Sequence, residues 1–376
     1  MTQAPFQPPF SEELLSRIAL SLVPGIGDMA IKRLVERFGS ATEVWGRGEL
    51  EYTMIARMRK GAARCLAKGP DLDAASRIAE RTMALGGWIV YPGHPSYPEL
   101  LGAISDPPAL LYGRGSIEAA NGLCVAMVGA RRASSYGRAA AEKIAGGLSR
   151  AGVVVVSGLA MGIDSSCHKA AVEAGGLTVA VKGCGLDVAY PRGSKGLEER
   201  IVESGAVVTQ YPPGTAPEAR HFPARNRIIS GLSRAVVVVE AEMKSGSLIT
   251  ARLALEQGRD VLAVPGGIFS WGSKGCHWLL KQGAGLVESA RDVLEELGVE
   301  PPCAPGRNAS CDEADLSPEE RVVVDKLLEE PQHMDSICAA CQLPPGEVGR
   351  ILLQLELKGF VSSFAGNRYG LKTGGR

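Results

Sequence analysis

Several absences narrow what this 376-residue chain can be. No apolar run approaches the ~18 residues that a membrane span needs. The N-terminus lacks a basic region leading into an apolar core and a small-residue cleavage site, so no membrane association is expected and the cytoplasm is the expected compartment. Net charge is missing as well: 41 Lys and Arg balance 41 Asp and Glu, so a polyanion partner would have to be met by local clusters. The nine cysteines form no disulfide framework, and Cys124, Cys167 and Cys184 fall inside apolar runs, as reduced thiols do. Cys338 and Cys341 make a lone C-x-x-C. Cys303 and Cys311 are too widely separated to complete a zinc set, so no metal is expected. Nor is there a G-x-S-x-G elbow, an H-E-x-x-H helix or a P-loop.

What is present is a globular composition rich in turns: 45% hydrophobic residues, 22% charged, 47 glycines and 23 prolines. The length allows about two or three domains. Residues 1–85 read as an N-terminal helical domain, with Ile31, Leu34, Val35 and Phe38 at helical spacing. Within it, Pro24-Gly25-Ile26-Gly27 reads either as a plain helix-to-helix turn or as a helix-hairpin-helix turn showing backbone N–H groups to a phosphate.

From Trp88 the pattern becomes short apolar runs alternating with helical segments: 123–128, 153–157, 177–181, 207–210, 235–240 and 261–264. Continuous runs such as Val153-Val154-Val155-Val156 suit strands covered on both faces. Residues 86–299 are therefore expected to form an α/β, Rossmann-like, doubly wound and mostly parallel sheet. Residues 300–317, rich in proline, read as a linker. The order of helices and extended segments over 318–376 reads as a winged helix.

In an open parallel sheet, ligands gather beyond the carboxyl ends of the strands. The turn after the first run, Gly129-Ala130-Arg131-Arg132-Ala133-Ser134, carries two arginines and a capping serine but not the dinucleotide fingerprint. The next, Ser157-Gly158-Leu159-Ala160-Met161-Gly162-Ile163-Asp164, offers Asp164 and His168 at i and i+4. Asp164 reads better as the N-cap of a Ser165–Ala174 helix than as half of an acid–base pair. The glycines of 183–185 read as structural.

Arg220 to Arg234 holds four arginines and no acid, with His221 and Phe222 as rings on which a base could stack. Arg225, Asn226 and Arg227 lie at its centre. Lys244-Ser245-Gly246-Ser247 then joins a strand end to a helix and reads either as a phosphate cradle or as a plain capped helix, the cradle being favoured.

The runs from Val128 to Tyr136, Ser157 to Asp164, Gly183 to Pro191, His221 to Ser233, Glu240 to Gly258 and Val264 to Gly267 resemble the DNA-processing protein A (DprA, or Smf) family. The resemblance covers roughly residues 120–297. It implies a non-catalytic, cofactor-free, dimeric protein that binds single-stranded DNA cooperatively and helps load the recombinase RecA in natural transformation, with helical and winged-helix domains flanking the core. By matching position, it implies that Arg131, Lys244, Arg225 and Arg227 line the DNA groove. Ser134, Gly158, Asn226, Ser245, Gly246 and Ser247 complete the expected contact set. Two positions depart from the family pattern: Met161 stands where arginine is usual, and His277 where the pattern has asparagine.

Two other readings compete. An enzyme cleaving nucleotide N-glycosidic bonds would use a Pro-Gly-Gly turn such as Pro265-Gly266-Gly267, but Ile268-Phe269-Ser270 replaces the phosphate-binding continuation. A sensor would hold a mononucleotide in the same cradles. The apolar segment Trp278 to Leu297 is the expected dimer surface. In the C-terminal unit, Arg350 and Lys358 stand against Glu347 and Glu356, a poor footprint for a duplex groove.

Overall fold

A computed structural model describes residues 10–56, 58–299, 317–327, 332–341, 343–358, 360–364 and 366–371. The chain divides into two compact units, Met1–Pro301 and Pro302–Arg376. The proline-rich stretch over 300–316, with Cys303 and Cys311, lies outside the described residues.

The first unit opens with α1 (Glu12–Leu22), α2 (Asp28–Phe38), α3 (Glu49–Ala56), α4 (Lys60–Ala67) and α5 (Leu72–Ala84). Local signals set their ends: Ser11 accepts the Leu14 N–H at the start of α1, Asp71 accepts that of Ala74 at α5, and Gly39, at φ +92°, closes α2. Ile31, Leu34, Tyr52 and Leu66 bury the seam between these helices.

The chain then runs through β1 (Gly87–Val90), α6 (Glu99–Gly102), β2 (Leu111–Gly115), β3 (Cys124–Gly129), α7 (Ser135–Arg150), β4 (Val154–Ser157), α8 (Ile163–Glu173) and β5 (Thr178–Val181). It continues with α9 (Lys195–Ser204), β6 (Gly205–Thr209), α10 (His221–Gly231), β7 (Ala235–Glu240), α11 (Gly246–Glu256), β8 (Asp260–Ala263), α12 (Lys274–Lys281), β9 (Gly285–Leu286) and α13 (Ala290–Glu296).

These strands form one sheet in the order β1-β2-β6-β5-β4-β3-β7-β8-β9. Pairing is parallel from β6 across to β9, while β1 and β2 run antiparallel at one edge. Successive β3 residues feed opposite faces: Cys124, Ala126 and Val128 join one apolar layer, Val125 and Met127 the other. Burial on both faces accounts for the continuous valine runs.

Chain order reverses between β3 and β7, because the chain winds outward from β3 to β6 and returns on the other side of β3. That is the switch point where a doubly wound sheet opens a crevice beyond its strand ends.

The antiparallel edge is not expected from the sequence. The apolar runs read from the sequence begin at residue 123, and Gly113 is nonetheless a strand residue: a Cβ there would lie 2.2 Å from the Trp88 ring of β1. Asp164 is not the N-cap: the helix begins two residues earlier than expected, at Ile163, with Gly162 as N-cap at φ +84° and close against the Ala130 carbonyl. Asp164 sits in the first turn, where its carboxylate accepts the Ala160 N–H at 3.4 Å.

The second unit contains α14 (Pro318–Lys326), β10 (Gln332–His333), α15 (Met334–Cys341), α16 (Pro345–Leu357), β11 (Val361–Phe364) and β12 (Arg368–Leu371). The three helices and the β10-β12-β11 sheet make a winged helix around Val323, Ile337, Val348, Ile351 and Leu355. Cys338 and Cys341 lie on α15 and pack against that core. Among the described residues, no group of three His, Cys, Asp or Glu could hold a metal ion. No described helix is long and apolar enough to cross a membrane.

Candidate nucleic-acid interface

At the switch point lies a cleft of about 560 Å³. The end of β3 gives Val128, Gly129 and Arg131, and the β4–α8 turn gives Ala160 and Asp164. Helix α10 supplies Phe222, Arg225 and Asn226, and the start of α11 supplies Ser245, Gly246 and Ser247. A smaller cavity of about 210 Å³ adjoins it, sharing Arg131, Ala160, Tyr190, Phe222 and Arg225 and adding Gly158 and Met161.

The wall of rings and cations is explicit. Tyr190 and Phe222 lie 5.1 Å apart between centroids, tilted by 36°. The exposed Arg131 guanidinium stands 5.5 Å over the Phe222 ring, leaving its N–H edges open to an anion. His221 is instead buried and stacked on Tyr211 at 4.1 Å, so only Phe222 of the two expected rings faces the cleft.

Arg225 forms the floor. It is 4% exposed, donates to the Val181 carbonyl, and has a buried Nε with no protein partner. Burial pushes its pKa down to about 10, and nearby Arg131 acts the same way, while the Asp164 carboxylate opposes both. Arg225 therefore stays cationic at neutral pH. Asp164 in turn is raised by burial, against the pull of Arg225 and of its hydrogen bonds to Ala160, Gly158 and Ser157.

Gly158 touches the cleft only indirectly. A Cβ at this position would fall 2.1 Å from Arg225 Nη1, so the glycine makes room for the guanidinium. At the opposite wall, Ser245 caps α11 by accepting the Ser247 N–H at 3.3 Å, and the two hydroxyls sit 2.6 Å apart. The helix N-terminus thereby points into the cleft with Gly246 exposed. Lys244, beside Ser245 in the chain, is exposed.

Two expected contact residues are placed elsewhere. Arg227, two positions beyond Arg225, faces the other way along α10 and bonds Asp28 at 2.6 Å, Gln210 at 2.5 Å and the Asp106 carbonyl at 2.7 Å. It ties α10 to the start of α2. Ser134 is held by the buried Glu240, whose Oε2 accepts the Ser134 N–H at 2.9 Å and its hydroxyl at 3.1 Å. Ser134 also caps α7 by accepting the Gly137 N–H. A carboxylate already occupies this helix N-terminus, so a phosphate would be repelled there.

Two further residues that shape the site, Glu240 and Lys182, are hard to foresee. The signal for Glu240 is its place as the one acid ending a wholly apolar strand. Lys182, 2% exposed, bonds Glu198 at 2.7 Å and the Val188 carbonyl at 2.9 Å, pinning the loop that presents Tyr190. His168 does not face Asp164 as a base would. Its Nδ1 meets Thr178 Oγ1 at 2.7 Å, and because that hydroxyl donates to the Val155 carbonyl, Nδ1 carries the proton.

In the C-terminal unit, Lys358 Nζ bonds both Glu320 oxygens at 2.8 and 2.9 Å, and Arg350 pairs with Glu319 at 3.4 Å. The cations of α16 are thus neutralised locally, consistent with the charge pattern there.

Residues 88–298 match the family model for DNA recombination-mediator protein A, and residues 308–367 that for the DprA winged helix domain. The chain is 50% identical over 200 residues to the DNA processing protein DprA of Streptococcus pneumoniae, spanning 53% of this chain and 71% of that protein. It is 34% identical to protein Smf of Synechocystis, over 94% and 97% of the two chains. Among solved structures, DprA from S. pneumoniae superposes with a TM-score of 0.67 at 37% identity, covering 76% of this chain and 98% of that one. DNA processing protein A from Helicobacter pylori, whose structure concerns its single-stranded DNA binding mode, gives a TM-score of 0.51 at 28% identity, covering 56% and 95%.

Proposed function

Because the chain belongs to the DNA recombination-mediator protein A family, we propose that the switch-point cleft binds single-stranded DNA without chemistry. The observation that carries this reading is the composition of one wall of the cleft. An exposed Arg131 stacks over Phe222 with Tyr190 beside it, while the buried Arg225 and the open α11 N-terminus face the same space. Cations track a phosphate backbone, and rings accept bases of any sequence.

The contact set is Arg131, Asn226, Lys244, Ser245, Gly246 and Ser247, with Arg225 acting as floor charge and Gly158 as the space it needs. Arg227 and Ser134 drop out, since one is tied to α2 and the other is held by Glu240. With an exposed methionine rather than a cation at position 161, Arg131 and Lys244 carry more of the neutralisation. Protection of exposed strands, loading of RecA, and a homodimer formed through the Trp278 to Leu297 segment complete the proposal.

A nucleotide N-glycosidase is disfavoured by the site's acids. Asp164 is the sole carboxylate among the lining residues, it lies beside Arg225, and His168 is turned away. Free base released from nucleoside monophosphates would reverse that reading. Competition provides the main test. Binding of a labelled oligonucleotide should tighten with length, prefer single over double strand, and resist mononucleotide. Displacement by mononucleotide alone would instead mark a sensor.

A further inference from the structure

The loop between β8 and α12 is not used by the cleft. It starts at Pro265 and includes a turn in which the Ser270 N–H donates to the Gly267 carbonyl at 3.0 Å. Ile268 and Phe269 occupy the corners of that turn, 72% and 92% exposed, and Trp271 follows at 79%. Turn corners normally carry Gly, Asn, Asp or Pro, so three large apolar side chains held in water call for a binding partner.

The loop is firmly seated. Tyr136 donates to the Pro265 carbonyl at 2.6 Å, and His277 Nε2 meets the Gly266 carbonyl at 2.9 Å. The Gly272 carbonyl accepts the Ala241 N–H at 2.7 Å. A Cβ at Gly272 would lie 2.3 Å from Glu240 Oε1, and the other oxygen of that carboxylate holds Ser134. The rings therefore stand on the same β3–β7–β8 end as the cleft, beside the turn that carries Lys244. Lys274 lies 5.7 Å over the Trp271 ring, and residues 265–281 contain two lysines and no acid.

We propose that Phe269 and Trp271 form a second stacking platform, on which bases of a strand leaving the cleft rest while Lys274 and Lys244 meet its phosphates. This rests on the single-strand reading of the cleft and extends it. Planar rings with the Lys274 ammonium over one of them suit nucleobases and phosphates, and the Glu240 anchor seats the loop at the same strand ends as the cleft.

The test uses the full chain and oligothymidylates of increasing length, comparing wild type with a Phe269→Ala/Trp271→Ala double variant and with Arg131→Glu. Both replaced rings are exposed, so folding should be unaffected. Long oligonucleotides should bind the double variant at least about five-fold more weakly, the lower end of what a single base–ring stack contributes, while ones short enough to fill the cleft alone bind unchanged. Tryptophan fluorescence quenching on binding should fall in Trp271→Phe, with most affinity kept. Unchanged affinity of the double variant at every length, with Arg131→Glu weakened, would overturn the platform and leave the cleft standing. Unchanged affinity in both would overturn both. A double variant that keeps DNA affinity but changes its oligomeric state by light scattering would assign the rings to a protein contact and likewise overturn the proposal.

Discussion

Arg225 and Arg227 share a helix and a run of sequence, yet two residues of separation turn them about 200° apart on α10. One becomes the floor of the cleft and the other a tie to α2. Mutations should separate these roles. Arg227→Ala leaves Asp28 and Gln210 without their partner, so we expect a loss of about 1–3 kcal/mol in denaturant melts. Limited proteolysis of the N-terminal helices should become faster, with single-strand affinity little changed. Gly158→Ala forces the Arg225 guanidinium out of its seat and should cost about 1–3 kcal/mol together with affinity. If Gly158→Ala binds and melts like wild type, Arg225 is not fixed as described.

His168 supplies a pH signature at the same scale. Burial, with Arg225 adding to it, pushes its pKa down from 6.5 to about 3, so the folded state keeps the ring neutral. Its contribution is complete above the unfolded value and is lost as pH falls from 6.5 toward 3, at up to about 1.4 kcal/mol per pH unit. Between pH 7.5 and pH 5, wild type should lose about 2 kcal/mol more stability than His168→Gln. Equal losses would show that the ring titrates freely.

At the scale of elements, the loops matter through the glycines that let them approach one another. Gly137 and Gly272 both lean on Glu240, where a Cβ would sit 1.9 and 2.3 Å from its oxygens. Gly137→Ala should therefore destabilise by about 1–3 kcal/mol and loosen the α7 N-terminus, read as faster amide exchange at Ser134 and Gly137.

Strand-end turns are legible in the sequence because arginine, serine and glycine clusters punctuate apolar runs. The long-range partners are not. Nothing local in Ser134 shows that Glu240, 106 residues away, already holds it. Nothing in Arg-Asn-Arg shows which arginine the helix turns toward the cleft. Strand β2 escapes a reading of its own residues because its glycine exists to admit the Trp88 ring from the neighbouring strand.

For the whole molecule, neutrality of the full sequence conceals a local imbalance. Arg350 and Lys358 of the winged helix and Arg227 of α10 are paired with acids, while no ion pair among the described residues holds Arg131 or Lys244. The doubly wound sheet is legible from its valine runs, since burial on both faces leaves no alternation to misread. The order of its strands, and hence the site of the crevice, becomes visible only when β7 returns beside β3.

The central claim is that this crevice neutralises the backbone of a single strand, and the salt dependence of binding tests it most directly. Oligothymidylate affinity should be measured across ionic strength for wild type and an Arg131→Glu/Lys244→Glu variant. Each phosphate left without its cation makes the log–log slope shallower by about 0.7, so the variant's slope should be shallower by about 1.4 or more, with weaker binding at every salt concentration. Equal slopes and equal affinities would contradict the account.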